Sequence, residues 1–470
     1  MDLSFSTSTT ISTSGSISRL RAAFNGQVIA PGDAAYDEAR AVFYGSFNRR
    51  PAVIIRAADA ADVARVISLA HETGLALAIR SGGHSPAGHS ASQGGILLDL
   101  SSMKGLQIDP KRRTAWAETG LTAGEYTAAA GAYGLATGFG DAGSVGIGGI
   151  TLAGGVGLLV RKYGLTVDDL LAAEVVTADG QLLRADAETH PDLFWALRGG
   201  GGNFGVATRF RFRLHQVDTV VGGLLLLPAT PEIIASFVAE ADAAPEELSA
   251  IANVMVAPPL PFVPAEHHGR LVMAALLVYA GAVDAGQRAV APFRALATPI
   301  ADMVRPMPYP EIYATAPPHP VAVAARSMYL DSVDRRAAEA IIHHLQASTA
   351  PIRAAQLRVL GGAMARVPAD ATAFAHRGRR LMANVGAGYE RLDEAAIHEA
   401  WVAGFAAALR QNGAPGVYVG FLGDEGQARL REAYPQPTWE RLVAVKTRYD
   451  PTNFFRLNHN VPPAIEDPLP

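Results

Sequence analysis

Leu77-Ala78-Ile79-Arg80-Ser81-Gly82-Gly83-His84-Ser85-Pro86 runs from an apolar stretch into two glycines and a His–Ser pair. Working back from it, Leu75 to Arg80 reads as a strand and Gly74 as the stop of a helix. Val63, Val66, Ile67 and Ala70 fall at i, i+3, i+4 and i+7, one face of that helix, and Ala52 to Arg56 is an apolar run before it. Working forward, Ile96 to Leu100 resumes a strand. The order is strand, helix, strand, turn, strand. Exposed N–H groups in such a glycine turn form a nest that suits phosphate oxygens, although the string alone is also compatible with a solvated histidine on a turn.

Three further stretches carry the same message. Gly138-Phe139-Gly140-Asp141-Ala142-Gly143-Ser144-Val145-Gly146-Ile147-Gly148-Gly149 continues to Gly154-Gly155-Val156-Gly157. Each glycine costs backbone entropy on folding, so this density points to a backbone laid closely against a ligand. It is not a dinucleotide fingerprint, because Gly146-Ile147-Gly148-Gly149-Ile150-Thr151 fails at the third glycine. Gly199-Gly200-Gly201-Gly202-Asn203-Phe204-Gly205-Val206 lies between a short helix, Pro191 to Arg198, and a strand alternating from Val206 to Leu214, which favours a functional turn over a linker. Tyr449-Asp450-Pro451-Thr452-Asn453-Phe454-Phe455-Arg456-Leu457-Asn458-His459-Asn460 ends a helix containing Trp439, Leu442, Val443 and Lys446, and its Phe pair should anchor Asn458 and Asn460.

The remainder sets the frame. The chain has 470 residues, more than one core usually serves. Its 49% hydrophobic and 18% charged residues are a globular composition, and a net charge of -4 gives no basic surface for nucleic acid. With no cysteine, disulfides, thiolate metal sites and Cys nucleophiles are excluded, and no metal site is expected. Met1 to about Ile17 is Ser/Thr-rich, expected to be mobile, and lacks a basic region followed by an apolar core; no apolar run is long enough to span a bilayer, so no membrane partner is expected and a cytoplasmic location is. Thr122 and Glu125 form a capping-box pair, and Ala172 to Ala185 reads as a hairpin with a type I′ turn at Asp179-Gly180. From Thr219 to Val417, strand-like runs (222–227, 271–279, 381–385) alternate with helical runs (231–241, 284–295, 335–346, 394–409), and Pro258 to Pro264 and Pro306 to Pro320 are proline-rich loops. The fold class expected is α+β. A ligand-binding domain spans 1–217 (core about 47–217), a second domain built on one sheet with helices on a single face spans 218–417, and 418–470 returns to the first domain.

Taken together, the four motifs resemble those of the FAD-linked oxidases of the vanillyl-alcohol oxidase superfamily, in the berberine-bridge-enzyme-like branch. The resemblance covers the chain from about Val28. It implies an FAD-binding domain of two subdomains and a substrate domain whose antiparallel sheet, covered by helices, roofs the flavin. It implies FAD, bonded covalently through its flavin methyl group to His84. Many relatives add a second bond from a cysteine; Ala142 holds that position here, so a single link is implied. It assigns Arg80, Ser81, Gly82, Gly83, Ser85, Gly88 and His89 to the pyrophosphate, with Ser144, Gly146, Gly148, Gly149 and Leu152 continuing the cradle. Val206 is placed at the adenine end, and Asn458 or Asn460 near the isoalloxazine ring.

The implied chemistry is removal of a hydride from a small organic substrate (alcohol, amine or natural-product intermediate) and of a proton from its O–H or N–H. The resemblance puts the base at Tyr434, five residues before Trp439, although Pro435-Gln436-Pro437 replaces a common glycine-containing turn there. Tyr418 lies on an expected strand, Val417 to Leu422, with Gly420 where relatives often have asparagine; Tyr329, Asn384 and Tyr389 are further candidates for the wall facing the flavin. Val145, three residues after the cysteine position, is implied to admit oxygen as electron acceptor. A dehydrogenase with another acceptor, or a flavin-holding binding protein with little turnover, are the alternatives. A monomer or homodimer is expected.

Overall fold

The computed structural model describes residues 14–313, 321–410 and 415–464. Val53–Arg56, Ile96–Asp99 and Leu77–Arg80 lie side by side in that order as parallel strands, almost wholly buried, with Gln27–Ile29 added antiparallel at the edge. Runs of Val, Ile and Leu covered on both faces suit such a sheet. The helix Ala60–Thr73 packs on it; Asp59 caps its start by accepting from Asp62 N, and Gly74 ends it at φ 66°.

A second sheet is antiparallel throughout, in the order Leu106–Asp109, Thr114–Glu118, Val206–Arg213, Leu170–Val176, Leu182–Asp186. The helix Ala123–Gly131 next to it starts with the expected reciprocal bonds of Thr122 and Glu125. The hairpin turns differently from the expectation. Thr177 and Gln181 pair around three residues, and only Gly180, at φ 79°, is left-handed. A type I′ turn needs two such residues, so the loop is a three-residue turn closed by glycine.

The third sheet has eight antiparallel strands. Ala301–Asp302 and Arg305–Pro308 flank Thr219–Pro228, followed by Leu271–Tyr279, Leu248–Val256, Ile352–Val359, Leu381–Tyr389 and Ala322–Leu330. The helices Pro231–Ala243, Val283–Arg294, Arg335–Ala347 and Ala395–Leu409 cover one face. Alternation decides what the other face presents: Ala355, Leu357 and Val359 enter the helix-side core, so Gln356 and Arg358 point the opposite way.

The last segment packs against the second sheet. Helix Gln436–Tyr449 buries Trp439, Leu442 and Val445 in the same core as Phe204 and Phe210. The span 218–417 does not stay with the third sheet throughout: Arg377, almost fully buried, pairs bidentately with Asp168 (2.7 and 2.9 Å), and Trp195 Nε1 donates to Asp370 O. At the other end, Ser14–Ala23 is a helix rather than a tail, because Ile17 and Phe24 reach the core beside Val28; Met1 to Thr13 lie outside the described residues, as do 314–320 of the second proline-rich loop. Val417 to Leu422 is not a strand. It closes into a short turn over Val419–Phe421, with the Tyr418 ring folded over Gly420, where a Cβ would collide with it. No described helix is long and apolar enough to cross a membrane.

Candidate active site

The three sheets meet around a cavity of about 480 Å³. The parallel sheet delivers the turn after Leu77–Arg80, so that Ser81, Gly82, Gly83, His84 and Ser85 line one wall. The glycine-rich loop and the helix Ile147–Ala153 bring Val145, Gly146, Gly148, Gly149 and Leu152 beside it. Ser81 joins the two stretches, donating to Thr119 O and accepting from Gly148 N. The third sheet supplies Gln356, Arg358 and Asn384 from the opposite side.

The C-terminal wall is locked from behind. Lys446, with no exposed surface, donates to Asp450 Oδ2 (2.6 Å), Asn203 O and Phe455 O. Asp450 accepts from the N–H groups of Phe454 and Phe455. Asn203 donates to His459 O and accepts from Val461 N, tying the four-glycine turn to the last segment. Val206, Asn458 and His459 thereby reach the cavity.

His84 stacks on Phe43, with ring centroids 4.0 Å apart. Burial pushes its pKa down to about 4, opposed in part by a hydrogen bond to the Ser144 backbone, so the ring is neutral at pH 7. His89 meets His459 edge-on at 4.8 Å, and burial lowers them to about 3 and about 4. Tyr418 lines the cavity and accepts from Gly155 N; burial raises its pKa to about 12, against the backbone donors and Arg358 that lower it.

Five of the residues expected here face elsewhere. Arg80 is a buried strut, bound to Asp99 (2.9 Å) and to the carbonyls of Ala39 and Ala41. Gly88 makes room for the Phe47 ring, and Ser144 turns its side chain outward. Asn460 leaves the wall because the chain bends over 457–459, which breaks the alternation with Asn458. Tyr434 sits in the core behind the wall, its hydroxyl donating to Gly199 O and its pKa raised by burial, which opposes a role as base. Of the other candidates, Asn384 lines the cavity; Tyr329 and Tyr389 do not.

Tyr44, Asp141, Gln356 and Arg358 reach the cavity without having been expected there. Asp141 stood within the quoted glycine string. Arg358 could be found only by recognising Ile352–Val359 as a strand, which its two arginines and a glutamine obscured.

A model of the FAD binding domain matches residues 51–186, and one described as berberine and berberine like matches 418–462. The (R)-6-hydroxynicotine oxidase of Paenarthrobacter nicotinovorans is 30% identical over 455 residues, which cover 93% of this chain and 97% of that protein. The chain belongs to the berberine-bridge-like FAD-linked oxidoreductases. The crystal structure of 6-hydroxy-D-nicotine oxidase from Arthrobacter nicotinovorans superposes with a TM-score of 0.84 at 27% identity, over 93% of this chain and 98% of that one. A chitooligosaccharide oxidase, at 19% identity and a TM-score of 0.81 over 96% and 100%, shares the fold. As a member of this family the chain is an oxidoreductase that binds FAD.

Proposed function

We propose that this oxidoreductase carries its FAD on His84 through a single covalent bond, oxidises a small organic substrate in the cavity, and passes the electrons to oxygen. The observation that carries the reading is the Gly82-Gly83-His84 turn, which presents a neutral imidazole to the cavity beside the loop holding Ala142 and Val145. A neutral ring has the free lone pair that a covalent bond to carbon requires.

The residues present fit the cofactor. A Cβ added to Gly149 or Gly202 would meet no protein atom within 4 Å, yet both line the cavity, so their lack of a side chain is explained by a ligand and not by packing. The side-chain oxygens of Asn458 and Asn384 are buried and without partners, acceptors for N–H groups of a ligand. Ser81, Gly82, Gly83, Ser85 and His89 with Gly146, Gly148 and Leu152 would hold the phosphate-bearing part, Val206 the adenine end, and Asn458 the ring. When bound, the flavin supplies hydride acceptance and onward electron transfer. The protein's part is to orient the substrate, take its proton, and leave room for oxygen at Val145.

The test needs no substrate. Purified protein should hold about one FAD, and after photoreduction should regain the oxidised spectrum on mixing with air-saturated buffer. Protein without flavin overturns the reading; flavin reoxidised by a dye but not by oxygen overturns its oxidase part.

A further inference from the structure

Arg358 comes from the third sheet and Asp141 from the glycine-rich loop, and they meet across the cavity, Nη2 to Oδ2, at 2.6 Å. Arg358 is nearly buried and fixed on three sides. Its Nε donates to Gln356 Oε1 (2.8 Å), Gln356 Nε2 donates to Asn253 Oδ1 (2.9 Å), and the guanidinium lies 5.0 Å over the Phe421 ring. One edge of each partner is left over: Arg358 Nη1 and Asp141 Oδ1 have no hydrogen-bond partner among the described residues. A fixed guanidinium with an unpaired N–H, next to a carboxylate oxygen with free lone pairs, is a site for a group that accepts and donates at one atom.

We infer that Asp141 and Arg358 are a catalytic pair that binds a substrate hydroxyl, so that the substrate is an alcohol rather than an amine. This rests on the flavin-oxidase reading of the same cavity. The hydroxyl oxygen accepts from Arg358 Nη1, and its proton points to Asp141 Oδ1. In the reaction the O–H bond breaks, its proton passes to Asp141, and its electron pair becomes the second bond of the C=O group. The C–H bond breaks with its pair, and that hydride goes to the bound flavin, which is reduced by two electrons. The product is an aldehyde or ketone whose oxygen keeps the Arg358 bond. A carboxylate suffices as the acceptor because the hydroxyl becomes strongly acidic as hydride departs. An alcohol fits both halves of the pair while neutral. An amine is protonated in neutral water and must lose a proton before it can accept from Arg358. The pair carries no net charge to attract an ammonium. Tyr418 already accepts from a backbone N–H and has its proton affinity raised, and Tyr434 is outside the cavity.

The test uses flavin-loaded protein and matched probes: benzyl alcohol with benzylamine, cinnamyl alcohol with cinnamylamine, cyclohexanol with cyclohexylamine. Flavin bleaching is followed without oxygen, and binding of the corresponding carbonyl compounds is read from the oxidised flavin spectrum. Alcohols should bleach the flavin and amines should not. D141N should slow bleaching by about 10²-fold while leaving carbonyl binding unchanged. R358Q should weaken carbonyl binding about tenfold; if it fails to fold, D141N/R358Q, which leaves no unpaired charge, replaces it. Amines bleaching as fast as alcohols, or D141N at the wild-type rate, overturns the pair while the flavoenzyme reading stands. Bleaching by no alcohol in protein that holds flavin overturns the pair, while the flavoenzyme reading stands on its flavin content and reoxidation.

Discussion

The backbones of Gly82 and Gly146 cross at contact distance: a Cβ built on either would stand 2.8 Å from the Cα of the other. Neither residue has a left-handed φ, so the requirement is for space and not for conformation. This crossing presses the His84 turn against the loop that carries Asp141, Ala142 and Val145, and makes one cavity wall out of two distant stretches.

Gly146→Ala should therefore destabilise the fold by about 1–3 kcal/mol through overpacking. Gly149→Ala, whose Cβ meets nothing in the protein, should stay within about 0.5 kcal/mol of wild type and lose flavin instead. Denaturant midpoints and the ratio of flavin to protein absorbance separate the two effects. Equal loss of stability in both variants contradicts this account of the wall.

Acid should weaken protein prepared without flavin in a defined window. Burial lowers His84, His89 and His459 from the usual 6.5 to about 4, about 3 and about 4. All three are neutral in the fold, and below pH 6.5 they gain protons mainly on unfolding. Stability is then flat above about pH 6.5 and falls from there toward about pH 4, by up to about 1.4 kcal/mol per pH unit for each histidine. Urea midpoints across this range measure it, and His89→Gln should flatten the slope. A midpoint independent of pH refutes the assignment.

Lys446→Met removes the cation that Asp450 is buried against, and should cost about 3–5 kcal/mol. It should also loosen the Phe455–His459 segment, which hydrogen exchange at Phe454 and Phe455 would report. Unchanged protection there means the lysine does not hold the wall.

Val145→Leu adds a methylene at the cavity surface, in a loop where the Val145 carbonyl is held by Ala123 N and the backbone cannot easily retreat. Reoxidation of the photoreduced protein by oxygen should slow strongly, with flavin content unchanged. An unaltered rate in stopped-flow mixing removes Val145 from the oxygen path.

Where local chemistry dictates structure, the sequence was legible. The capping box at Thr122, the stop at Gly74, and the strands of Val, Ile and Leu in the first sheet all form as their residues require. The glycine motifs pointed to the cavity walls, where some glycines make room for a neighbouring backbone, as Gly82 and Gly146 do, and others, such as Gly149, border open space. Two kinds of information were hidden. Ile352–Val359 carries glutamine and arginine toward the cavity, and Ala322–Leu330 mixes alanine, arginine and serine among its apolar residues, so neither shows a clean apolar period. Side-chain direction at motif ends was also hidden: Arg80 turns back to Asp99, and Tyr434 turns into the core, for reasons set by partners far along the chain.

The attachment of flavin to His84 is tested most directly by denaturation. Protein precipitated with acid should stay yellow, and digestion should yield one flavin-bearing peptide, the one containing His84. His84→Ala should release all of its flavin on the same treatment. Flavin lost from the wild type into the acid supernatant, or retained by precipitated His84→Ala, contradicts the account.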